Sequence, residues 1–327
     1  MSSPTPRVSV GIPTWNRADL LQECIQSVLD QTMTDLEVHV FDNASTDATP
    51  EVVASFDDPR LTYVRNKTNL GNQPNMTAAL RAGTAPYVYL LLDDERMLPT
   101  CLERKADFLD RHQDVVLVHS AFEEVSIDGE QLSPWAAFCE LRTDTVETGP
   151  TFIERSYLVP GRIHIGSFLA RREAVREEGL FPEDLPLDDH PLWLRIATRG
   201  SMAFLAEPLD VRRIVPGVSS EAGYLVYEKG RYRPTLWLVK EAKAVLFRFT
   251  GTYARTPAEA RRLRRMARRG ARRSAAFILR YNVPGLRPPK RALRLLAEAV
   301  RVEPTLLVEP RLLTVIFPRL ARRAPKA

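Results

Sequence analysis

The chain has 327 residues, 44% of them hydrophobic, which is enough for one large domain or two smaller ones around an ordinary buried core. No apolar run approaches the roughly 18 residues needed to cross a bilayer, and MSSPTPR lacks the basic start, apolar stretch and cleavage site of a secretory leader, so a cytosolic chain is expected. The net charge of +5 hides a division: residues 225–327 hold 26 Lys and Arg against 6 Asp and Glu, leaving 20 against 35 for residues 1–224.

In chain order, RVSVGIP reads as a buried strand closed by Pro13 and a polar turn. ADLLQECIQSVLDQT then places Leu20, Leu21, Cys24, Ile25, Val28 and Leu29 at helical spacing. LEVHVFDNAS is a second strand, DATPEVVASF a second helix, LTYVRN a third strand, NQPNMTAALRAG a third helix and APYVYLLLDDE a fourth strand. Strands alternating with helices over about 90 residues imply a parallel sheet covered by helices. Ligands of such sheets sit outside the carboxyl ends of the strands. Those ends carry Thr14 and Asn16, then Asp42 and Asn43, then Asn66 and Asn69, then Asp93 to Glu95, and are expected to converge on one crevice.

LERKADFLDRH continues as a helix, and VVLVHSAFEEVSIDGEQL as a strand and hairpin turning at Asp128–Gly129. After a poorly patterned stretch, IHIGSFLARREAVREEGLF gives strand then helix, PLDDHPLWLRIATRG a loop feeding a helix stopped by Gly200, and SMAFLAEPLDVRRIV a last strand pair. Cys24, Cys101 and Cys139 are odd in number and unpaired by spacing, and read as buried reduced thiols. Beyond Gly223, Arg-rich helical stretches alternate with prolines.

The acidic run Asp93–Asp94–Glu95 ends an apolar strand with no basic residue before Arg96. Crowded like charges cost free energy unless a cation is shared, and hard carboxylate oxygens suit Mg²⁺ or Mn²⁺, which bridges to a diphosphate. The alternative is a solvated turn capping the helix after Pro99. Likewise Asp42, and Asp188 or Asp189, suit helix caps when taken alone.

Taken together, VSVGIPTWNRADLLQECIQSVLDQT, EVHVFDNASTDAT, RNKTNLGNQPN, LLLDDERMLP and GLFPEDLPLDDHPLWLRIATRG resemble, in order and spacing, the inverting family 2 glycosyltransferases of the GT-A fold. The resemblance covers about residues 7–215. It implies a Rossmann-like, mostly parallel central sheet flanked by helices, with a basic helical C-terminal extension, and divides the chain into a nucleotide-sugar half (1–100), an acceptor half (101–223) and the basic region (224–327). It also implies transfer from a UDP- or dTDP-sugar to an acceptor hydroxyl or amine, on a polysaccharide, a lipid-linked glycan or a natural product.

By the same resemblance Pro13, Thr14, Asn16 and Arg17 surround the nucleoside, and Asp42 accepts a hydrogen bond from the base, which suits a uracil or thymine imide because a carboxylate only accepts. Asn69, Gly71 and Asn75 approach the donor; Pro74 stands where an Arg is usual. Asp94 is the principal metal ligand, with Glu95 beside it as a second, and Asp93 faces the donor. Asp189 is the base that deprotonates the acceptor. His164 and His190 read as structural, and the His that many GT-A enzymes place after the last strand is missing from RRIVPGVSS. A weak metal site that depends on the donor follows.

In TPAEARRLRRMARRGARRSAAFIL, Leu263, Met266, Ala267, Gly270 and Ala271 form one stripe and eight arginines cover the rest. This fits the anionic inner face of a membrane, or packing on the acidic body or in a homodimer. Few aromatics and no recognition motif argue against nucleic acid. Two rival functions are a sugar nucleotidyltransferase, which needs a Gly-rich phosphate loop where IPTWNR stands, and a non-catalytic scaffold with the same fold.

Overall fold

All seven residues of the first strand, β1 (Val8–Thr14), are buried, as an apolar run covered on both faces must be. The computed structural model describes residues 5–136, 141–158, 163–175, 189–214, 225–228, 231–234, 236–282, 297–304 and 306. Helix α1 (Ala18–Leu29) buries Ala18, Leu21, Cys24, Ile25 and Val28, the stripe that the spacing predicts. Then follow β2 (Leu36–Asp42), α2 (Thr49–Ala54), β3 (Leu61–Arg65), α3 (Asn72–Arg81) and β4 (Tyr87–Leu90). Helix α3 lies so close on β1 that a Cβ at Gly11 would stand 2.0 Å from the Ala79 carbonyl oxygen.

Strand β1 pairs in parallel with β2 and β4, and β2 in parallel with β3. After β4 come a turn, the two-residue strand β5 (Arg96–Met97), α4 (Cys101–Arg111), and the hairpin of β6 (Val115–Ser126) with β7 (Gln131–Ala136). Gly129 supplies the positive φ, 85°, of that hairpin. Next are β8 (Thr145–Glu147), α5 (Gly149–Ser156), β9 (Phe168–Arg171), a 3₁₀ turn (Arg172–Val175), α6 (Asp189–Ala197) and β10 (Ser201–Ile214). Among the described residues the sheet runs β3-β2-β1-β4-β9-β6-β10-β5, with β7 on β6 and β8 on β10. Strand β9 is antiparallel to both neighbours, whereas β6 and β10 are parallel to each other.

Three readings are corrected. Residues 201–214 form one long strand, not a pair, because register shifts on either side of Pro208 let β10 stay on β6 past the proline. The acidic run is a turn beyond β4, and the chain returns to the sheet as β5, antiparallel to β10. The poorly patterned stretch contains β8 and α5. The helix expected after β9 is observed only as the 3₁₀ turn, its remainder lying outside the described residues, as does Cys139. Cys24 and Cys101 are buried free thiols.

The chain divides into two units. The first comprises Met1–Ile153, Gly161–Asp184 and Asp188–Ile214 and holds the large sheet; the second comprises Glu154–Pro160, Leu185–Leu187 and Val215–Ala327. In the second, β11 (Leu225–Glu228) pairs with β12 (Arg231–Pro234), followed by α7 (Leu236–Tyr253) and α8 (Pro257–Asn282). The α8 stripe of Leu263, Ala267, Gly270, Ala271 and Ala275 is buried within this unit. A Cβ at Gly270 would stand 2.3 Å from the Tyr157 carbonyl oxygen, so the helix axis comes close there. The apolar stripe of α8 is therefore covered within this unit. Arg261, Arg264, Arg265, Arg268, Arg269 and Arg273 remain exposed. No helix among the described residues is long and apolar enough to cross a membrane.

Candidate active site at the carboxyl ends of the strands

Where β1, β2 and β3 end, short polar side chains bind one another and the backbone. Asn43 is 3% exposed. Its Nδ2 donates to Asn69 Oδ1 (2.8 Å) and to the Gly71 carbonyl (3.0 Å), while its Oδ1 accepts from Asn66 Nδ2 (3.1 Å) and Leu70 N–H (2.8 Å). Asn75, buried at the start of α3, donates to the Phe41 carbonyl (2.9 Å) and accepts from Asn66 (3.0 Å). Asp42 is fully buried. It accepts from Ser45 N–H (2.8 Å) and the Tyr63 hydroxyl (2.5 Å) and lies 3.3 Å from Arg65 Nε. The loop after β1 joins this network: Asn16, at φ 52°, donates its N–H to Ser45 Oγ (2.9 Å) and accepts from Thr46 N–H (2.7 Å). A left-handed backbone is tolerated at Asn because its short side chain can hydrogen-bond locally. Asn69 and Gly71 are exposed, and Gly71 sits at φ 87°.

The acidic turn is organised differently. Asp93 and Asp94 project beside Arg17, whose guanidinium hydrogen-bonds Asp94 and holds Nε 3.9 Å from Asp93. Burial, and next the charge of Asp94, push the Asp93 carboxyl up to about 7; Arg17, the Thr14 hydroxyl and the Trp15 N–H pull the other way without prevailing. Two neighbouring carboxylates here share one exposed guanidinium. Trp15 is 49% exposed between Thr14 and Asn16. It offers a flat apolar face at the rim of the polar strand ends.

Glu95 leaves its two neighbours and turns inward. At 5% exposure it meets His164 Nε2 at 2.6 Å. Its Oε2 occupies the space that a side chain at Gly166 would take, since a Cβ there would stand 1.9 Å away. Burial, with Asp94 and Asp210 adding to it, raises the Glu95 carboxyl well above the usual range. Burial likewise holds His164 well below its ordinary value. Behind this pair, Lys105 is fully buried yet satisfied: Nζ donates to Asp210 Oδ2 (2.7 Å), the Ser167 carbonyl (2.9 Å) and the Tyr89 hydroxyl (3.2 Å). Ser120 Oγ donates to the same Asp210 oxygen at 2.7 Å. Among the described residues no group of three His, Cys, Asp or Glu side chains is spaced to hold a metal.

Asp189 opens α6 and is half-buried. Trp193, one turn on, meets Phe168 of β9 edge-on at 4.8 Å, and Phe168 stacks on Tyr89 of β4 at 6.3 Å, so aromatic packing fixes this helix against the sheet. His190 is buried, and among the described residues neither ring nitrogen has a partner. Asp188 lies outside the described residues.

The expected crevice residues thus fall into three groups. Thr14, Arg17, Asp93 and Asp94 gather at one point, and Pro13 is buried in β1. Asn16, Asp42, Asn69, Gly71 and Asn75 form the amide-rich network. Glu95 belongs to the interior. Sequence reasoning missed Trp15, Arg65 and Arg213, the last of which donates to the Asp94 carbonyl (3.3 Å), the Ile127 carbonyl (2.8 Å) and Glu23 (2.8 Å). An exposed Trp inside a polar strand end was the one local signal available; the Arg213 contacts span more than 80 residues.

Comparison with known proteins bears on the family and the fold. The chain is 30% identical over 195 residues to the succinoglycan biosynthesis protein ExoO of Rhizobium meliloti, an alignment covering 59% of this chain and 56% of that one. The chain thus spans about half the length of that curated relative. The crystal structure of S. aureus TarS 1–349 in complex with UDP superposes with a TM-score of 0.61 at 17% identity, covering 96% of this chain and 87% of that one. The mannosyltransferase PcManGT of Pyrobaculum calidifontis, in complex with GDP-Man and Mn²⁺, superposes with a TM-score of 0.52 at 19% identity, covering 98% and 89%. The mixed sheet flanked by helices is therefore the GT-A fold. Residues 9–176, just over half of the chain and including the strand ends from Thr14 to Asp94, match the glycosyl transferase family 2 profile, and the chain belongs to that family.

Proposed function

We propose that the protein is a metal-dependent, inverting glycosyltransferase that uses a UDP- or dTDP-sugar. The observation that carries this reading is the Asp93–Asp94 pair at the end of β4, held together by one exposed arginine from the end of β1. Two hard carboxylates suit Mg²⁺ or Mn²⁺, which such sites bind through one or two carboxylates together with substrate phosphates. Asp94 is the ligand, with Asp93 beside it; Glu95 is not one, because its carboxyl is committed to His164. When bound, the cation supplies Lewis-acid stabilisation of the leaving diphosphate. Arg17, beside both carboxylates, would also suit a phosphate oxygen of the donor. Residues 1–100 form the donor half and 101–223 the acceptor half.

In the reaction Asp189 takes the proton of the acceptor hydroxyl or amine while that atom bonds to the anomeric carbon. The bond from that carbon to the diphosphate oxygen breaks on the opposite face, so configuration inverts and the electron pair leaves with the nucleoside diphosphate. Asn69, Gly71 and Trp15 line the approach of the nucleoside. Asp42, Asn43 and Asn75 act one layer back, fixing the loops that carry Asn16 and Asn69. The uracil or thymine preference draws on TarS, which shares the fold and was crystallised with UDP. The exposed arginines of α8 fit an anionic membrane surface by charge alone, each adding on the order of 1 kcal/mol at low salt.

Thermal shift against a panel of nucleoside diphosphates, with and without Mn²⁺, tests the reading. Stabilisation by UDP or TDP that needs the metal and disappears in Asp94→Asn supports it; no response to any nucleotide contradicts it. Sedimentation with vesicles containing phosphatidylglycerol tests the α8 face, and loss of binding on reversing Arg261, Arg265 and Arg269 to Glu is expected.

A further inference from the structure

The turn that presents Asp93 and Asp94 is anchored at its far end from inside the protein. Glu95 closes it by a backbone hydrogen bond from its N–H to the Leu92 carbonyl (3.0 Å) and sends its side chain to His164, 69 residues further along the chain. His164 is in turn built into a rigid mount. The Ser167 N–H and hydroxyl both donate to the His164 carbonyl at 3.1 Å, the Tyr89 hydroxyl meets the Gly166 carbonyl at 2.8 Å, and Lys105 meets the Ser167 carbonyl at 2.9 Å. The imidazole also lies against the Phe122 ring, with centroids 5.3 Å apart. Gly166 leaves the gap that Glu95 Oε2 fills. From the other side Arg213 holds the Asp94 carbonyl.

We propose that His164 is a positioning residue for the acidic turn: by holding Glu95 inward it makes the cation site a two-carboxylate site of Asp93 and Asp94 and fixes the direction in which they project. The inference rests on the reading of Asp94 as the cation ligand. Without the His164 anchor, Glu95 is a third acid free to swing beside two others, and the turn loses its only described side-chain tie to the interior at that position. A ligand set held by a partner outside it resists the small displacements that degrade cation affinity, and removal of such partners commonly costs about 10–100-fold. Gly166 has the same purpose in steric form.

The test is Mn²⁺ affinity in the presence of UDP, read from the electron paramagnetic resonance signal of free Mn²⁺, on purified full-length protein whose melting transition is recorded alongside. Asp94→Asn is expected to abolish the binding. His164→Ala and Gly166→Ala are each expected to weaken it about 10-fold or more. His164→Gln, whose amide can still reach Glu95, and Glu95→Gln, which keeps the partner of His164, are expected to stay within about threefold of the wild type. The double variant His164→Ala, Glu95→Gln is expected to be no worse than His164→Ala alone, since both changes act on one contact. If Glu95→Gln loses Mn²⁺ as completely as Asp94→Asn, Glu95 is itself a ligand and the proposal is overturned. It is equally overturned if folded His164→Ala, or His164→Gln should the alanine variant not fold, together with Gly166→Ala, lowers the melting point but leaves Mn²⁺ affinity intact. An Asp94→Asn variant that binds Mn²⁺ normally would instead remove the reading on which the proposal stands.

Discussion

The two clusters at the strand ends are built on opposite principles. Around Asn43, each amide found its partners within the protein, so the loops after β2 and β3 are fixed before any ligand arrives. Around Asp93 and Asp94, two like charges are forced together and shared with one exposed arginine, an arrangement whose free energy improves when a stronger cation arrives. Preorganisation and strain are neighbours here: the amide cluster supplies shape and the acidic turn supplies charge.

The largest expected effects fall on chemistry. Asp94→Asn should lower turnover with Mn²⁺ by about 10³-fold while leaving the urea midpoint of the free protein nearly unchanged. Asp189→Asn should cost about 10²–10⁴ in kcat with nucleotide affinity intact, a split measured by comparing kinetics with UDP titration. Asn43→Ala should do the reverse of Asp94→Asn and lose on the order of 2–3 kcal/mol of folding stability by denaturant titration, because four hydrogen bonds converge on that side chain. Equal stability losses at Asn43 and Asp94 would erase the contrast between the clusters.

A pH dependence follows from His190, whose imidazole burial lowers to about 4. A base depressed in the folded state leaves stability complete above its ordinary value near 6.5. That stability is lost as pH falls from there toward 4, by on the order of 3 kcal/mol. His190→Leu should flatten this part of the stability curve, measured by chemical denaturation at a series of pH values. The smallest effect is expected at Asp93→Asn, which removes one of two crowded like charges and should raise the melting point of the metal-free protein by a few degrees.

Much of this was legible in the sequence, for reasons that differ between the halves. The alternation of strand and helix through β4 is a local pattern, since each strand is an apolar run and α1 an apolar stripe, and the polar residues ending each strand mark the site without reference to anything distant. What could not be read depends on contacts across the fold. Glu95 looked like a second ligand beside Asp94 because nothing near it in the chain reveals His164. Pro208 looked like a strand break because bulges that carry a strand past a proline leave no signature. The α8 stripe left membrane contact and packing equally open because its cover, from α7 and residues near Tyr157, is remote in sequence.

Calorimetric titration of UDP into wild-type protein with and without Mn²⁺ tests most directly whether the acidic turn holds a divalent ion and a nucleotide jointly. The expected result is binding at least about 10-fold tighter with the metal, a coupling that linkage requires to appear equally in the affinity for Mn²⁺. Identical UDP isotherms with and without Mn²⁺ would contradict it.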